Sequence, residues 1–194
     1  MQTFYTADTH FDHENIIRYC KRPFCSVDRM NKALVRNWNE RVKPSDIVIH
    51  AGDFCFRNSP GGKPGEGGLT KAAEWASRLN GHITFIRGNH DTNNGLRTHI
   101  QSLSMYIGKQ PVGITHRPKD IDLKYDLYFV GHVHDNWKFK KIKTTDHLGG
   151  KRTIYVVNVG VDVWDFRPHT WNEIMRGLRK WKWQQNGPTK IPII

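Results

Sequence analysis

The feature that most constrains the fold is a set of four short polar clusters, each directly after an apolar run of strand length. They are Asp8-Thr9-His10, Gly52-Asp53, Gly88-Asn89-His90-Asp91 and Gly131-His132-Val133-His134. Side chains in the turns that follow buried strands of an α/β protein meet at one edge of the sheet, where such proteins build their sites. Because the clusters combine carboxylate, amide and imidazole groups, they predict an α/β fold with a metal site at the strand ends.

The length of the chain bounds its domain organisation. A chain of 194 residues has room for one domain with a real core and is too short for two ordinary ones. It shows no internal repeat and no linker. We therefore expect a single domain over residues 1–187, followed by a short tail over residues 188–194.

Charge and cysteine content limit the partners. The formal net charge is +12 and the pI is near 9.8, which favours a polyanionic partner such as a nucleotide or a nucleic acid; charge that only serves solubility is the alternative. Cys20, Cys25 and Cys55 form no C-x-x-C pair, so neither a disulfide framework nor a thiolate zinc site is supported. We expect a cytoplasmic protein without a membrane partner, and the oligomeric state is left open.

Periodicity and capping residues predict the secondary structure. Ser26 is a typical N-cap for a helix over Val27–Val42, and Thr70 for a helix that ends at Asn80-Gly81. A capping box, Thr170-x-x-Glu173, opens a last helix with a core-facing stripe of Trp171, Ile174, Met175, Leu178 and Trp181. The predicted strands are Thr3–Thr6, Ile47–Ile49, Ile83–Ile86, Val112–Ile114, Leu127–Val130 and Ile154–Val157, with a basic hairpin over Lys138–Lys151.

One glycine-rich segment could be mistaken for a phosphate-binding loop. Residues 61–68 lack the G-x-x-x-x-G-K-[ST] order and do not join a strand to a helix, so they indicate a surface loop. We expect substrate choice to depend on loops such as Phe56–Gly68.

Taken in order, the polar clusters resemble the calcineurin-like metallophosphoesterase superfamily. The resemblance rests on D-x-H, G-D, G-N-H-D, a strand-terminal His116 and G-x-H, and it runs from Asp8 to His134. It implies a four-layer α/β/β/α sandwich of two mixed sheets flanked by helices. The segments around Arg22-Pro23-Phe24 and Asn158-Val159-Gly160-Val161-Asp162 are similar to a small bacterial and phage branch of that superfamily.

The resemblance also implies a binuclear centre and its ligands. Asp53 would bridge two divalent ions; Asp8, His10 and His134 would hold one, and Asn89, His116 and His132 the other. Carboxylate, amide and imidazole ligands suit manganese, which we expect first, and admit iron, zinc or nickel. His99 is the alternative to His116, because Arg117-Pro118 follows His116 where the family often has glycine.

The implied reaction is hydrolysis of a phosphodiester in a nucleotide, a cyclic nucleotide or a nucleic-acid end, by attack of a hydroxide that bridges the ions. His90 would bind a phosphoryl oxygen or protonate the leaving group, and Asp91 would orient His90. Residues near the clusters that could contact the substrate are His13, Asn15, Arg22, Arg57 and Arg117.

Two other functions stay open from the sequence. One is phosphomonoester hydrolysis on nucleotide or protein substrates. The other is a nucleic-acid-binding module that keeps the metal site as a structural element, which the net charge favours. The presence of His90 argues for an enzyme over the binding module, because a histidine that does not hold metal has no evident purpose in a structural site.

Overall fold

The structure is a computed structural model that describes residues 1–56, 70–91, 95–96 and 98–186. Its strands are β1 (Thr3–Thr6), β2 (Ile47–His50), β3 (His82–Phe85), β4 (Ser102–Ile107), β5 (Gln110–Thr115), β6 (Leu127–Val130), β7 (Phe139–Thr145), β8 (Lys151–Asn158) and β9 (His169–Thr170). Its α-helices are α1 (Glu14–Tyr19), α2 (Val27–Asn39), α3 (Ala72–Ala76) and α4 (Trp171–Asn186), and short 3-10 turns lie at Pro118–Asp120 and Val161–Val163.

The strands form two mixed sheets, as the predicted fold class requires. The first has the order β3-β2-β1-β9, with β9 antiparallel to β1 and the other pairs parallel. The second has the order β4-β5-β6-β8-β7, with parallel strands in the middle and antiparallel strands at both edges. Parallel pairing brings the ends of the central strands to a common edge in each sheet, and the predicted polar clusters follow these ends.

Three groups of apolar side chains stabilise this arrangement by burial. Between the sheets, side chains such as Ile49 and Phe129 pack together with the apolar stripe of α4, as predicted. On its other face the first sheet packs against α1, α2 and α3 through side chains such as Phe4 and Val48. The outer face of the second sheet packs against Ile121, Tyr125, Trp137 and Ile142.

The helix predictions hold in part. Ser26 accepts a hydrogen bond from the Arg29 backbone N–H at 3.2 Å and caps α2 as predicted, but α2 ends at Asn39 rather than Val42. The predicted helix from Thr70 to Asn80 is wrong in extent: α3 covers only Ala72–Ala76, and its N-cap is Lys71. The Ser77 hydroxyl donates to the Glu74 carbonyl, and such local bonds compete with helix continuation.

The capping-box prediction identifies the start of α4. The backbone N–H and the hydroxyl of Thr170 each donate to Glu173 Oε2 at 2.9 Å, and α4 begins at Trp171. Sequence reasoning missed α1, β4 and the two-residue β9. The glycine-rich segment, Arg57 and the tail over residues 188–194 lie outside the described residues. Among the helices of the described ranges, none combines the length and hydrophobicity needed to cross a bilayer.

Candidate active site

The loops after β1 and β2 are held together by backbone hydrogen bonds. The N–H of Asp8 donates to the Gly52 carbonyl at 3.0 Å, and the N–H of His10 donates to the Asp53 carbonyl at 3.1 Å. The second sheet is tied to the same place, because the N–H of His132 donates to both carboxylate oxygens of Asp8 at 3.0 and 2.9 Å. The polar clusters therefore converge between the edges of the two sheets.

The seven predicted ligands form two groups. The ligand atoms of Asp8, His10 and His134 lie within 4.8 Å of one another, and so do those of Asp53, His116 and His132. Asn89 belongs to the second group, with its Oδ1 3.1 Å from His116 Nε2. We call Asp8, His10 and His134 the His134 half, and Asn89, His116 and His132 the His116 half.

Asp53 lies between the halves. Its Oδ2 is 3.5 Å from His10 Nε2 in the His134 half and 3.2 Å from His116 Nε2 in the His116 half. The structure brings the seven predicted residues together, with the Asp53 carboxylate between the two halves. His116 occupies the strand-terminal position, whereas His99, the alternative, is exposed.

The donor set fits divalent cations. His10 Nε2 is buried and has no hydrogen-bond partner among the described residues, although it faces the Asp53 carboxylate. A buried polar atom without a partner is costly, and a cation between imidazole and carboxylate groups would satisfy it. Buried Asp8 and Asp53 supply negative charge, and their oxygens with imidazole nitrogens suit manganese, iron or zinc.

Backbone strain is concentrated at the ligands. Five of the seven predicted ligands have positive φ: Asp8 (57°), His10 (50°), Asp53 (57°), His132 (71°) and His134 (47°). L-residues rarely adopt this conformation, and its cost of about 1–3 kcal/mol per residue is tolerated mainly at functional sites. The positive φ values form tight turns that bring these side chains into one small volume.

Two glycines allow the loops to approach each other. Gly52 has φ 93°, and a Cβ there would lie 2.5 Å from His116 Nδ1. A Cβ at Gly88 would collide with the backbone and the carboxylate of Asp53. Glycine therefore precedes Asp53 and Asn89 because no side chain fits where the loops meet.

A buried ion pair supports the His134 half. Arg22 binds Asp162 through Nε at 2.7 Å and Nη2 at 3.0 Å, and Asp162 Oδ2 is 3.0 Å from His134 Nδ1. Arg22 also donates to the carbonyls of Thr9 and Asp8. Its guanidinium is buried and turned inward, so its geometry does not fit the predicted substrate contact; instead it connects the loop of Asp8 to the loop of His134.

The neighbouring residues hold the same loop. The Asn158 side chain donates to the carbonyls of His134 and Trp137 at 2.7 and 2.9 Å and accepts from the Gly160 N–H at 2.8 Å. The segments around Arg22 and Asn158–Asp162 thus have a shared structural purpose: they hold the turn that presents His134.

The site carboxylates set the protonation of the histidines. Burial alone would lower the pKa of His116, but the hydrogen bond to Asp53 and the charges of Asp8 and Asp53 raise it to about 9. Burial would also lower the pKa of His134, but the hydrogen bond to Asp162 outweighs burial and raises this pKa to about 11. By contrast, burial lowers the pKa of His10 well below its usual range.

The pKa values of Asp8 and Asp53 are shifted in opposite directions. Burial raises the pKa of Asp8 to about 6 against the charges of His134 and His116. For Asp53, burial is outweighed by the His116 hydrogen bond and the charge of His10, so its pKa lies below the usual range. Asp53 is therefore an anion near neutral pH, as a bridging ligand must be.

His90 and Asp91 follow Asn89 in the same turn. The backbone N–H of His90 donates to Asp53 Oδ1 at 2.8 Å, and its half-buried ring lies 5.3 Å from the ring of His10. The Asp91 carboxylate accepts hydrogen bonds from the backbone N–H groups of Asp53, Phe54 and Gly88 at 2.7–3.0 Å. Asp91 thus fixes the loops that carry Asp53 and Asn89, and its expected action on the His90 ring stays a prediction.

The other predicted substrate contacts occupy different environments. His13 is buried; its Nδ1 is 3.3 Å from His10 Nδ1, and its ring stacks on Phe56 at 4.4 Å. Burial lowers the pKa of His13 to about 4. Asn15 accepts a hydrogen bond from Arg18 at 2.7 Å on α1. Arg117 borders the His116 half, with Nε 3.5 Å from Asn89 Oδ1.

Sequence reasoning missed two residues beside the His134 half. Cys20 forms a group with His134 and Asp162 whose ligand atoms lie within 4.8 Å of one another. Both Asp162 oxygens already bind Arg22, which favours a supporting role for Asp162. The isolated cysteine carried no spacing signal, and the similarity of the Asn158–Asp162 segment to one branch of the superfamily was the only pointer to Asp162.

Each half borders its own cavity. A cavity of about 300 Å³, the aromatic cavity, is lined by residues that include His10, His13, Tyr19, His90 and His134. A cavity of about 250 Å³, the arginine cavity, is lined by residues that include Arg87, Asn89, His116 and Arg117. The two cavities share no lining residue.

Comparisons with known proteins identify the family of the chain. Residues 1–167 match the model of the calcineurin-like phosphoesterase superfamily domain. An uncharacterized protein of Methanocaldococcus jannaschii is 34% identical over 177 residues, which cover 91% of this chain and 90% of that protein.

Solved structures resemble the fold at lower identity. A protein of unknown function from Aquifex aeolicus has 20% identity and a TM-score of 0.63, over 90% of this chain and 98% of that one. A structure described as a novel archaeal phosphodiesterase has 21% identity and a TM-score of 0.41, over 82% of this chain and 84% of that one. A similarity at that TM-score does not bear on the substrate.

Proposed function

Because the chain belongs to the calcineurin-like phosphoesterase superfamily, a metal-dependent family, we propose that it hydrolyses a phosphodiester of a nucleotide or a nucleic acid with two divalent ions. The observation that carries the proposal is the convergence of two groups of metal-binding side chains on Asp53. A structural site would need one such group. Two groups that share a carboxylate are typical of hydrolytic centres.

Each side chain has a role in the proposal. Asp8, His10 and His134 would hold one ion, Asn89, His116 and His132 would hold the other, and Asp53 would be available to both. When bound, the ions supply Lewis-acid chemistry that activates water and offsets the charge on the phosphate. Manganese suits this mixture of oxygen and nitrogen ligands, and iron, zinc and nickel are the alternatives.

His90 is the proposed general acid. It does not belong to either group of ligands, yet its N–H is bound to Asp53 Oδ1 and its ring lines the aromatic cavity. In the hydrolysis, the water oxygen bonds to phosphorus, one P–O ester bond breaks, and the leaving oxygen takes a proton. The His90 imidazole can donate that proton if it lies within hydrogen-bonding reach of the leaving oxygen.

The cavities favour a diester over a monoester. A phosphodiester carries two substituents on phosphorus, and a cavity borders each half of the candidate site. A phosphomonoester has one substituent and would use one cavity only. This argument is independent of the overall charge of the chain.

The test is hydrolysis of bis(p-nitrophenyl) phosphate and p-nitrophenyl phosphate by protein that has been stripped of metal and then given Mn²⁺. We expect faster hydrolysis of the diester, and a loss of more than about 100-fold in Asp53→Asn, since removal of even a supporting partner of a ligand costs about 10–100-fold. Asp46→Asn is the matched control, because Asp46 is a buried aspartate that binds the backbone N–H groups of Gln2 and Lys43 away from the site.

The outcomes separate the functions left open by the sequence. Preferential hydrolysis of the monoester would indicate a phosphomonoesterase. If the protein binds two ions per chain and hydrolyses neither ester, while it binds nucleic acid equally well after His90→Ala, the binding module is favoured. Equal activity of Asp53→Asn and Asp46→Asn would contradict the proposed site.

A further inference from the structure

The two cavities beside the candidate site differ in chemistry. The aromatic cavity is lined by the Tyr19 ring and four imidazole rings, together with Ile16, Cys20 and Asn136, and the exposed Asp135 contributes its only carboxylate. The arginine cavity is lined by two arginines and one exposed carboxylate, Asp120. Counting arginines and carboxylates alone, the formal charges sum to −1 in the first cavity and +1 in the second.

The aromatic cavity suits a nucleobase. Tyr19 is 65% exposed, so the faces of its ring are open, and its ring centroid is 6.2 Å from that of His13. His13 is fixed from behind by its stack on Phe56. Bases stack on such rigid aromatic groups without regard to sequence. The cavity reaches from Tyr19 to His90, so a base on Tyr19 would leave its ester near the proposed general acid.

The arginine cavity suits a phosphate group. Arg87 is exposed, and neither Arg87 nor Arg117 forms an ion pair with a described residue. Some arginines of the described ranges are held by carboxylates, for example Arg41 by Glu173 and Arg152 by Asp126. Two planar guanidinium groups that line one cavity, and that have no carboxylate partner among the described residues, can bind phosphate oxygens in a bidentate manner.

We propose that the substrate is a linear, single-stranded phosphodiester with a nucleobase on one side of the scissile phosphorus and a further phosphate on the other, as at the end of an oligonucleotide. The inference rests on the proposed function and narrows its substrate. The base occupies the aromatic cavity and the further phosphate the arginine cavity. A cyclic mononucleotide has a single phosphate and leaves the arginine cavity empty, and an inorganic polyphosphate leaves the aromatic cavity empty.

The experiment compares three dinucleotides: dithymidylate without a terminal phosphate, with a 5′ phosphate and with a 3′ phosphate. We expect one phosphorylated form to have a kcat/KM about tenfold or more above that of the unphosphorylated form, as one charge-assisted phosphate contact supplies. Arg87→Ala should reduce this preference to near unity, and Arg87→Lys should restore part of it. Arg176→Ala, which removes an exposed arginine of α4, is the matched control and should keep the preference.

The aromatic cavity is tested with the same substrates. Tyr19→Ala should lower kcat/KM for all three dinucleotides by about tenfold, whereas Tyr19→Phe should retain it, because stacking needs the ring and not the hydroxyl. The proposal is overturned if the three dinucleotides react equally, if Arg87→Ala keeps the preference, or if a cyclic nucleotide reacts faster than all three.

Failure of this inference is distinguishable from failure of the proposed function. If hydrolysis of bis(p-nitrophenyl) phosphate depends on Asp53 but a terminal phosphate does not change the rate on dinucleotides, the proposed phosphodiesterase function stands and the proposed substrate is wrong. If no ester is hydrolysed, equilibrium binding of the dinucleotides decides. Binding that is stronger with a terminal phosphate and weakened by Arg87→Ala supports the two cavities, and binding that ignores both contradicts them.

Discussion

The His134 half and the His116 half each combine one side-chain oxygen group with two imidazoles, a carboxylate in the first and an amide in the second, and they differ in support. In the His134 half, Asp8 and His10 are 0% and 1% exposed, and His134 is backed by the buried pair of Asp162 and Arg22. In the His116 half, His132 is exposed, Asn89 is half-buried, and His116 Nδ1 is hydrogen-bonded to a backbone carbonyl, that of Ala51.

Because of this difference, we expect the two halves to bind metal with different affinities. Ligands that are fixed before binding lose less conformational entropy when they bind, and a buried site excludes competing water. We therefore expect the ion of the His134 half to bind more tightly and to exchange more slowly. The ion of the His116 half, beside the more open arginine cavity, should bind second.

The largest expected effect comes from the support of the His134 half. Asp162→Asn leaves Arg22 buried without its counter-charge, which should lower the free energy of unfolding by about 3–5 kcal/mol. The same change replaces one carboxylate oxygen by an NH2 donor, so that Arg22 and His134 compete for the single remaining acceptor oxygen, and it should weaken the tighter ion by about 10–100-fold. Denaturant unfolding and metal titration of the stripped protein measure the two effects.

A double variant separates stability from ligand positioning. Arg22→Met with Asp162→Leu replaces the ion pair by apolar groups, which should recover much of the lost stability without restoring the bond to His134. If metal affinity recovers together with stability, Asp162 does not position His134, and the two halves differ for another reason.

A smaller effect is expected from the exposed ligand of the His116 half. His132→Ala should weaken only the second ion, by about tenfold or more, and leave the unfolding free energy within about 0.5 kcal/mol, because the ring is exposed. Counting bound ions by mass spectrometry over a range of Mn²⁺ concentrations tests this. Loss of the tighter ion in His132→Ala would reverse the assignment of the halves.

The smallest effect is a pH dependence that distinguishes the halves in the metal-free protein. The pKa of His116 is raised from 6.5 to about 9, so its contribution to stability is fully present below pH 6.5 and is lost as the pH rises through about 9. The pKa of His134 is raised from 6.5 to about 11, so its contribution falls over the same window and goes on falling up to about pH 11, after that of His116 is lost.

Unfolding between pH 6.5 and 9.5 should therefore report on both histidines, and a His116 variant isolates the part that belongs to the His116 half. We expect the stability contributed by His116 to fall over this range and the fall to be smaller in His116→Asn, which keeps a polar side chain that does not titrate. If the free energy of unfolding falls equally in the original protein and in His116→Asn, another group is responsible for the pH dependence. Saturating Mn²⁺ should also reduce the fall, since a nitrogen that binds metal carries no proton.

Much of the site could be anticipated because its signals are local. An Asp or His directly after an apolar run marks a strand end, and β1 and β6 have the predicted bounds. The capping box of α4 and its apolar stripe are equally local. The extent of α3 was not anticipated, because the hydrogen bond of Ser77 to Glu74 competes with continuation of the helix. The strand β4 was not anticipated, because it depends on pairing with β5.

By itself, the sequence determined which donor atoms are present, where they follow strands and which superfamily the chain belongs to, since these depend on residue type and spacing alone. Only the tertiary structure decided how they meet. It paired Arg22 with Asp162 across 140 residues, turned Asp91 toward backbone N–H groups and held five ligands at positive φ. The physical reason is that a side chain's partners and a strained backbone are selected by the packing of distant loops, which no local pattern contains.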